Sequence, residues 1–302
     1  LTDVICPEHV KVFYDVEDVY GDGGSSGAPD FSWIGIIQDV PQTFDYSRKE
    51  CRGLGSIDIS ALADGLKSPE LSIKWVIQRK SGAFDPLTFL DYAKSFPEGI
   101  GVEWGAEYGL SYLSMWYKGL LPDSLDVEFS IDSFQIATMK LIGREVIDGV
   151  AFVGSGYQDN PLDVANGYSL PLTGHDAEVF MNAAGASDES LTDVKRVKFS
   201  LKNNLTRVPV IRENISNLLK YILRTKRELS GEITCFMENK DKYADLLNST
   251  LLDIRIDLQK TDNTPYFDFT NVKLDKGSIT TRINEVPCEV TLPFIASSLG
   301  TG

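Results

Sequence analysis

Apolar and polar residues alternate at period two through much of this chain, the spacing of strands with one buried and one solvated face. The clearest run is Ser124, Leu125, Asp126, Val127, Glu128, Phe129, Ser130, Ile131, Asp132, inside a strand pair expected over 123–145. A second, over 250–259, reads Leu252, Asp253, Ile254, Arg255, Ile256, Asp257, Leu258, Gln259. Each places apolar side chains on one face and a wet, mostly acidic set on the other: Asp126, Glu128, Ser130 and Asp132 in the first, Asp253 and Asp257 in the second. Further strands are expected over 33–37, 40–46, 71–77, 110–117 and 134–142, then at 197–201 (with 208–211 as an antiparallel return), 229–237, 265–274 and 286–294. Helical spacing is rarer. Asp85-Pro86 opens a helix whose inner face is Phe89, Tyr92, Ala93 and Phe96. Ile215, Leu218, Leu219 and Ile222 repeat that spacing, and Tyr243, Leu246 and Leu247 mark a short third helix.

These elements predict a mainly β protein, a barrel or sandwich flanked by short helices. The order strand, helix, strand, hairpin occurs twice, in 31–145 and again from 191 to the C-terminus at 302. One fold duplicated within the chain and two unrelated β-rich lobes both fit that order. The N-terminal segment 1–30 ends in a Gly/Ser-rich stretch from 17 read as a flexible loop. The Gly-, Asp- and Asn-rich stretch 146–190 reads as a long connecting loop or arm.

Composition narrows the function. The chain has 302 residues and 42% hydrophobic content, enough for one large or two ordinary cored domains. With 29 basic against 44 acidic residues, the net charge is −15, which repels nucleic acid and anionic membrane instead of binding them. A conduit for DNA should also be slippery. Cys6, Cys51, Cys235 and Cys288 lack CxxC spacing, so no metal cluster or disulfide framework is expected. No signal-peptide pattern or apolar run of membrane-spanning length is present, and a first residue of Leu fits processing or trimming. A cytosolic origin follows most simply.

No catalytic set converges. His9 and His175 are the two histidines; Gly174-His175-Asp176 has no nucleophile-type turn near it. Gly154-Ser155-Gly156 lacks the Lys of a phosphate loop, and Asp15, Glu17 and Asp18 lack calcium-loop spacing. Three Asn-x-Ser/Thr sites (Asn204, Asn214, Asn248) match the glycosylation pattern. We expect no enzymatic turnover, no cofactor and no metal.

Four short patterns resemble the tail tube proteins of tailed viruses. Gly53-Leu54-Gly55-Ser56 is similar to their LGS-type turn. Tyr117-Lys118-Gly119 with Asp123-Ser124-Leu125-Asp126-Val127 and a return ending Leu141-Ile142-Gly143 resembles their central hairpin. Val197 to Leu205, with its Asn203-Asn204-Leu205 turn, and Leu229-Ser230-Gly231-Glu232-Ile233-Thr234 resemble two later elements. Together they span most of 31–260. The resemblance implies a structural virion protein whose copies form stacked rings around a hollow tail for DNA ejection. Six single-domain copies, or three duplicated ones mimicking a hexamer, would close a ring. Implied partners are other copies, a tape-measure protein, tail-completion or baseplate proteins and viral DNA in transit, with no membrane. The implied place is the virion tail, after assembly in the host cytoplasm.

On that basis Asp126, Glu128, Ser130, Asp132, Asp253 and Asp257 are candidates for an acidic bore. Asp15, Glu17 and Asp18 are candidates for inter-ring contact with the basic set Lys220, Arg224, Lys226 and Arg227, expected on or just after the Ile215 helix. Bore acids would meet DNA phosphates with like charge. Two other readings stand beside this one: the tube of a contractile injection machine, and a carbohydrate-binding or adhesive β-sandwich using Trp104, Trp116 and Tyr157.

Overall fold

The computed structural model describes residues 10–20, 32–45, 49–51, 61–63, 67–79, 87–95, 97–108, 111–148, 169–186, 190–191, 193–208, 221–236, 250–258, 267–275, 278–280 and 289–300. In the first half the strands are β1 (Val10–Val16), β2 (Ser32–Trp33), β3 (Ile36–Asp39), β4 (Gln42–Asp45), β5 (Lys49–Cys51), β6 (Ala61–Ala63) and β7 (Ser68–Val76). Helix α1 (Leu87–Ser95) follows, then β8 (Ile100–Tyr108), β9 (Ser111–Ser130), β10 (Ile136–Ile142) and β11 (Glu145–Asp148). The second half holds β12 (Glu178–Ala183), β13 (Val194–Lys202), β14 (Leu205–Val208), β15 (Tyr221–Arg224), β16 (Glu228–Phe236), β17 (Leu252–Asp257), β18 (Phe267–Leu274), β19 (Ser278–Thr280), β20 (Glu289–Ala296) and β21 (Ser298–Gly300).

One antiparallel layer runs through both halves. β3 and β4 pair in line with β7, β7 with β10 and β10 with β9. β9 then pairs with β13, β13 with β16 and β16 with β20, whose far side carries the end of β18 and β19. The opposing layer has two parts. In the first half β1, β8, β9 and β11 pair in that order, and in the second β12, β17, β18 and β21 do. The core lies between the layers and is contiguous, from Trp75, Phe89 and Tyr117 to Phe199, Phe267, Phe269 and Phe294. Alternation explains it: Leu71, Ile73 and Trp75 on β7, Leu125 and Val127 on β9, and Val197, Phe199 and Leu201 on β13 are all buried.

β9 is long because it serves both layers. Its first part pairs with β8 and β11 and its last part with β10 and β13. The crossing falls at Gly119, whose φ of +62° suits glycine and where a Cβ would lie 2.9 Å from Arg144 Cβ. The Gly119 amide donates to the buried Glu17 Oε1 at 2.7 Å, which holds the crossing in place. Gly231 is needed for a different reason: Phe294 packs where its side chain would be, 2.3 Å from an added Cβ. Asn204, at φ 48°, supplies the left-handed turn between β13 and β14.

Several expectations need correction. Ile222 lies in strand β15, paired with β14, and not on a helix; β-branched Ile and aromatic Tyr221 favour a pleated surface. Ile215, Leu218 and Leu219 of that predicted helix, residues 209–211 of the expected strand return, the short helix at 243–247 and the turn at Gly53–Ser56 lie outside the described residues. The stretch 146–190 is not all loop. β11 extends the first half's layer, and β12 buries Val179 and Met181 against β17.

Candidate functional site: the polar face of the continuous layer

The layer shared by both halves turns its other face outward, and register fixes which side chains meet there. On β9, Asp126 sits opposite Thr138 of β10 and Ser200 of β13, while Glu128 sits opposite Ile136 and Lys198. Ser130 ends the strand opposite Arg196, its Oγ 3.0 Å from Ser133 Oγ. Arg196 Nε donates to Glu128 Oε1 at 3.0 Å. One strand further, Lys198 faces Glu232 and Lys202 faces Glu228 on β16. On the other flank Lys140 approaches Glu70 at 3.2 Å, and Arg207 from β14 also pairs with Glu70. Burial by itself would raise the Glu70 carboxyl, but the hydrogen bonds from Arg207 and Lys140 outweigh it and hold the group below its ordinary value.

This face is therefore charge-alternating, with the basic strand β13 between the carboxylates of β9 and β16. The acidic runs were visible in the sequence. The neighbouring cations were not, because strand adjacency here joins residues about 70 apart.

The six bore candidates do not share one surface. Asp126, Glu128 and Ser130 lie on this face, and Asp132 is exposed in the turn after β9. Asp253 and Asp257 lie on β17, in the opposing layer. Asp253 accepts from Gly185 N (3.0 Å) and Asn271 N (3.1 Å), bracing the turn after β12 and the bulge in β18. Asp257 is 2% exposed and bidentate to Arg255, at 2.9 Å from Nε and 2.7 Å from Nη2. Arg255 in turn stacks over Phe180, 4.8 Å from the ring centroid. A carboxylate in that setting serves the fold, and period two alone did not distinguish it from a wet one.

The inter-ring candidates divide similarly. Glu17 and Asp15 are 2% and 9% exposed, and of the acidic trio only Asp18 is open to solvent. Arg224 and Lys226 are exposed at the turn after β15, with Lys226 Nζ 3.5 Å from Glu228. Arg227 is committed internally. Its Nε donates to Asn203 Oδ1 (3.2 Å) and its Nη2 to Lys94 O (2.7 Å), while Asn203 Nδ2 donates to Ala93 O (3.2 Å) and Pro122 O (3.0 Å). Together they cap the C-terminus of α1. Burial first, and Arg224 second, lower the Arg227 value. Lys220 lies outside the described residues.

A groove of about 430 Å³ runs beside the end of β9 and includes Phe129, His175, Asp193 and Arg196. His175 is exposed there, and Asp176 turns away from it to accept from Thr173 N (2.7 Å) and Thr173 Oγ1 (2.9 Å). Among the described residues, no group of three or more His, Cys, Asp or Glu is placed to hold a metal, and no helix is long and apolar enough to cross a membrane. Trp104 and Trp116 are part-buried against the core, and Tyr157 lies outside the described residues.

Two solved structures are similar to part of this chain at low identity. The tail of an empty gene transfer agent particle, refined with C6 symmetry, matches at TM-score 0.34 and 9% identity, over 43% of this chain and 98% of that one. The virion of a native gene transfer agent matches at TM-score 0.34 and 10% identity, over 42% of this chain and 95% of that one. No curated protein matches. The profile of the phage tail tube proteins matches residues 12–296, nearly the whole chain. This chain belongs to the phage tail tube protein family.

Proposed function

We propose that the chain is the subunit of a viral tail tube, a structural protein without turnover that polymerises into stacked rings around a conduit for DNA. The observation that carries this reading is the single layer running through both halves. One face of it is sealed by the core, the other is polar, and strands β3–β4 and β19 stand at its ends. A sheet with open edges gains backbone hydrogen bonds by pairing with copies of itself, and a repeated rotation closes those pairings into a ring. Three chains, each supplying two similar halves, make such a ring.

The polar face lines the bore. In place of a uniformly acidic wall it offers cations already flanked by carboxylates: Lys198 between Glu128 and Glu232, and Arg196 bonded to Glu128. A phosphate passing such a cation meets a carboxylate at nearly the same distance, so no isolated basic clamp retains DNA. The net charge of −15 adds weak repulsion overall. Contacts between rings fall to the exposed turn at Arg224 and Lys226 and to the exposed Asp18. A tape-measure protein and tail-completion or baseplate proteins are the remaining partners, in a particle assembled in the host cytoplasm. Negative-stain microscopy of the purified, concentrated chain tests this: rings or tubes are expected, and a protein that stays monomeric contradicts it.

A further inference from the structure

The pairing order of the first half returns in the second. β1–β8–β9–β11 corresponds to β12–β17–β18–β21, and (β3, β4)–β7–β10–β9 corresponds to β13–β16–β20–(β18, β19). The irregularities recur too. Between the pairs Ile37–Trp75 and Asp39–Lys74 the first strand advances two residues while β7 moves one. Between Val194–Cys235 and Arg196–Thr234, β13 and β16 do the same at the matching place. β9 gains one residue on β10 between Pro122–Leu141 and Ser124–Lys140. The chain from β18 into β19 gains one on β20 between Leu274–Phe294 and Ser278–Thr291. Bulges are specific features of a fold, and the one shared by β3–β7 and β13–β16, with the same one-residue gain between the flanking pairs of the other strands, fixes a residue-level correspondence between the halves.

That correspondence says what the open edges fit. Inside the chain β9 is joined to β13, with Asp126 opposite Ser200 and Val127 opposite Phe199. The counterpart of β13 is β3–β4, and the counterpart of β9 is β18–β19. Each of these two edges, among the described residues, has a strand on one side only. We propose that β4 of one copy pairs antiparallel with β19 of the next, in the register of the internal joint, so that Thr43 faces Ser278 and Gln42 faces Ile279.

The backbone is set for it. Ser72 N donates to Pro41 O, so residues 41, 43 and 45 turn their amides to β7, while Gln42 and Phe44 turn theirs to the open side. Pro41 therefore removes no donor from that side. In the internal joint Asn203 N donates to Asp123 O, which gives β13 the same alternation towards β9. Pro41, Thr43 and Phe44 are exposed in the single chain. The occupant is a second copy of this chain, because the matching edge is already present on it.

This inference rests on the self-assembly reading, and a cross-linking experiment separates the two. In a chain whose Cys6, Cys51 and Cys288 are replaced by Ser, with buried Cys235 kept, Thr43→Cys and Ser278→Cys are introduced together. Thr43 and Ser278 form a non-hydrogen-bonded pair, the closer kind and the one whose geometry suits a disulfide. Mild oxidation of assembled protein should convert most chains to species of two and three times 33.4 kDa on a denaturing gel. The pair Thr43→Cys with Thr280→Cys, displaced by two residues, should give at least tenfold less. Rings that form without the Thr43–Ser278 product, or with the displaced pair linking equally well, overturn this joint and leave self-assembly standing. A double variant that remains monomeric, when the cysteine-replaced parent forms rings, supports the site, since substitution there blocks closure. A parent chain that is monomeric overturns both.

Discussion

At the scale of single residues, identical letters serve opposite purposes according to the layer that carries them. Asp126 and Asp257 follow the same alternating pattern, yet one is on the polar face and the other is 2% exposed and held by Arg255. The sequence showed period two, which is a property of one strand. It did not show which side chains from other strands would close over Asp257. Asp257→Ala should take from the Arg255 guanidinium, itself 21% exposed, the carboxylate it binds through two hydrogen bonds, at a cost of about 3 kcal/mol. Replacing both (Arg255→Met with Asp257→Leu) should recover most of the loss. Chemical denaturation of the unassembled chain measures it; a double variant no more stable than Asp257→Ala would show that the pair is not what holds this site.

At the scale of elements, most strands with clean alternation are legible: β7, β10, β13, β16, β17, β18 and β20 lie where their patterns put them. The two strands expected over 110–117 and 124–132 are instead one, β9, and β8, with Ile100, Val102 and Ala106 alternating, is not among those expected. β12 escaped because Glu-Val-Phe-Met-Asn sits in a stretch whose composition reads as loop, and its two buried residues are too few to outweigh those neighbours. β15 was read as helix because Ile222 stands at helical spacing from residues upstream. The basic residues Lys220, Arg224, Lys226 and Arg227 around it read as one patch, whereas Arg227 reaches back 133 residues to Lys94. Arg227→Ala should expose the consequence: Asn203 Oδ1 and Lys94 O lose the donor they share inside the protein, costing about 1–3 kcal/mol. Arg227→Lys should not restore it, since a single ammonium cannot meet Asn203 and Lys94 in the fork geometry. A thermal melt of unassembled protein reads this. If Arg227→Ala melts as wild type but impairs stacking of rings, Arg227 belongs to an inter-ring contact after all.

At the scale of the molecule, the order of elements fits one fold written twice or two unrelated β-rich lobes, and the motifs point to the tail tube family that the match over 12–296 establishes. What the order could not convey is that the halves share a sheet. The β9–β13 joint makes the first and second halves continuous and, among the described residues, leaves each outer edge with a strand on one side only. It also changes the electrostatics, because the acidic hairpin acquires a basic neighbour. On the proposed function this shared layer encloses the bore with its polar face inward. A cryo-electron microscopy map of the assembled tube measures that directly. Asp126, Glu128 and Lys198 should face the channel, with the layer unbroken from copy to copy. A map that turns those residues to the outer surface, or lines the channel with β1, β8 and β11 instead, would contradict it.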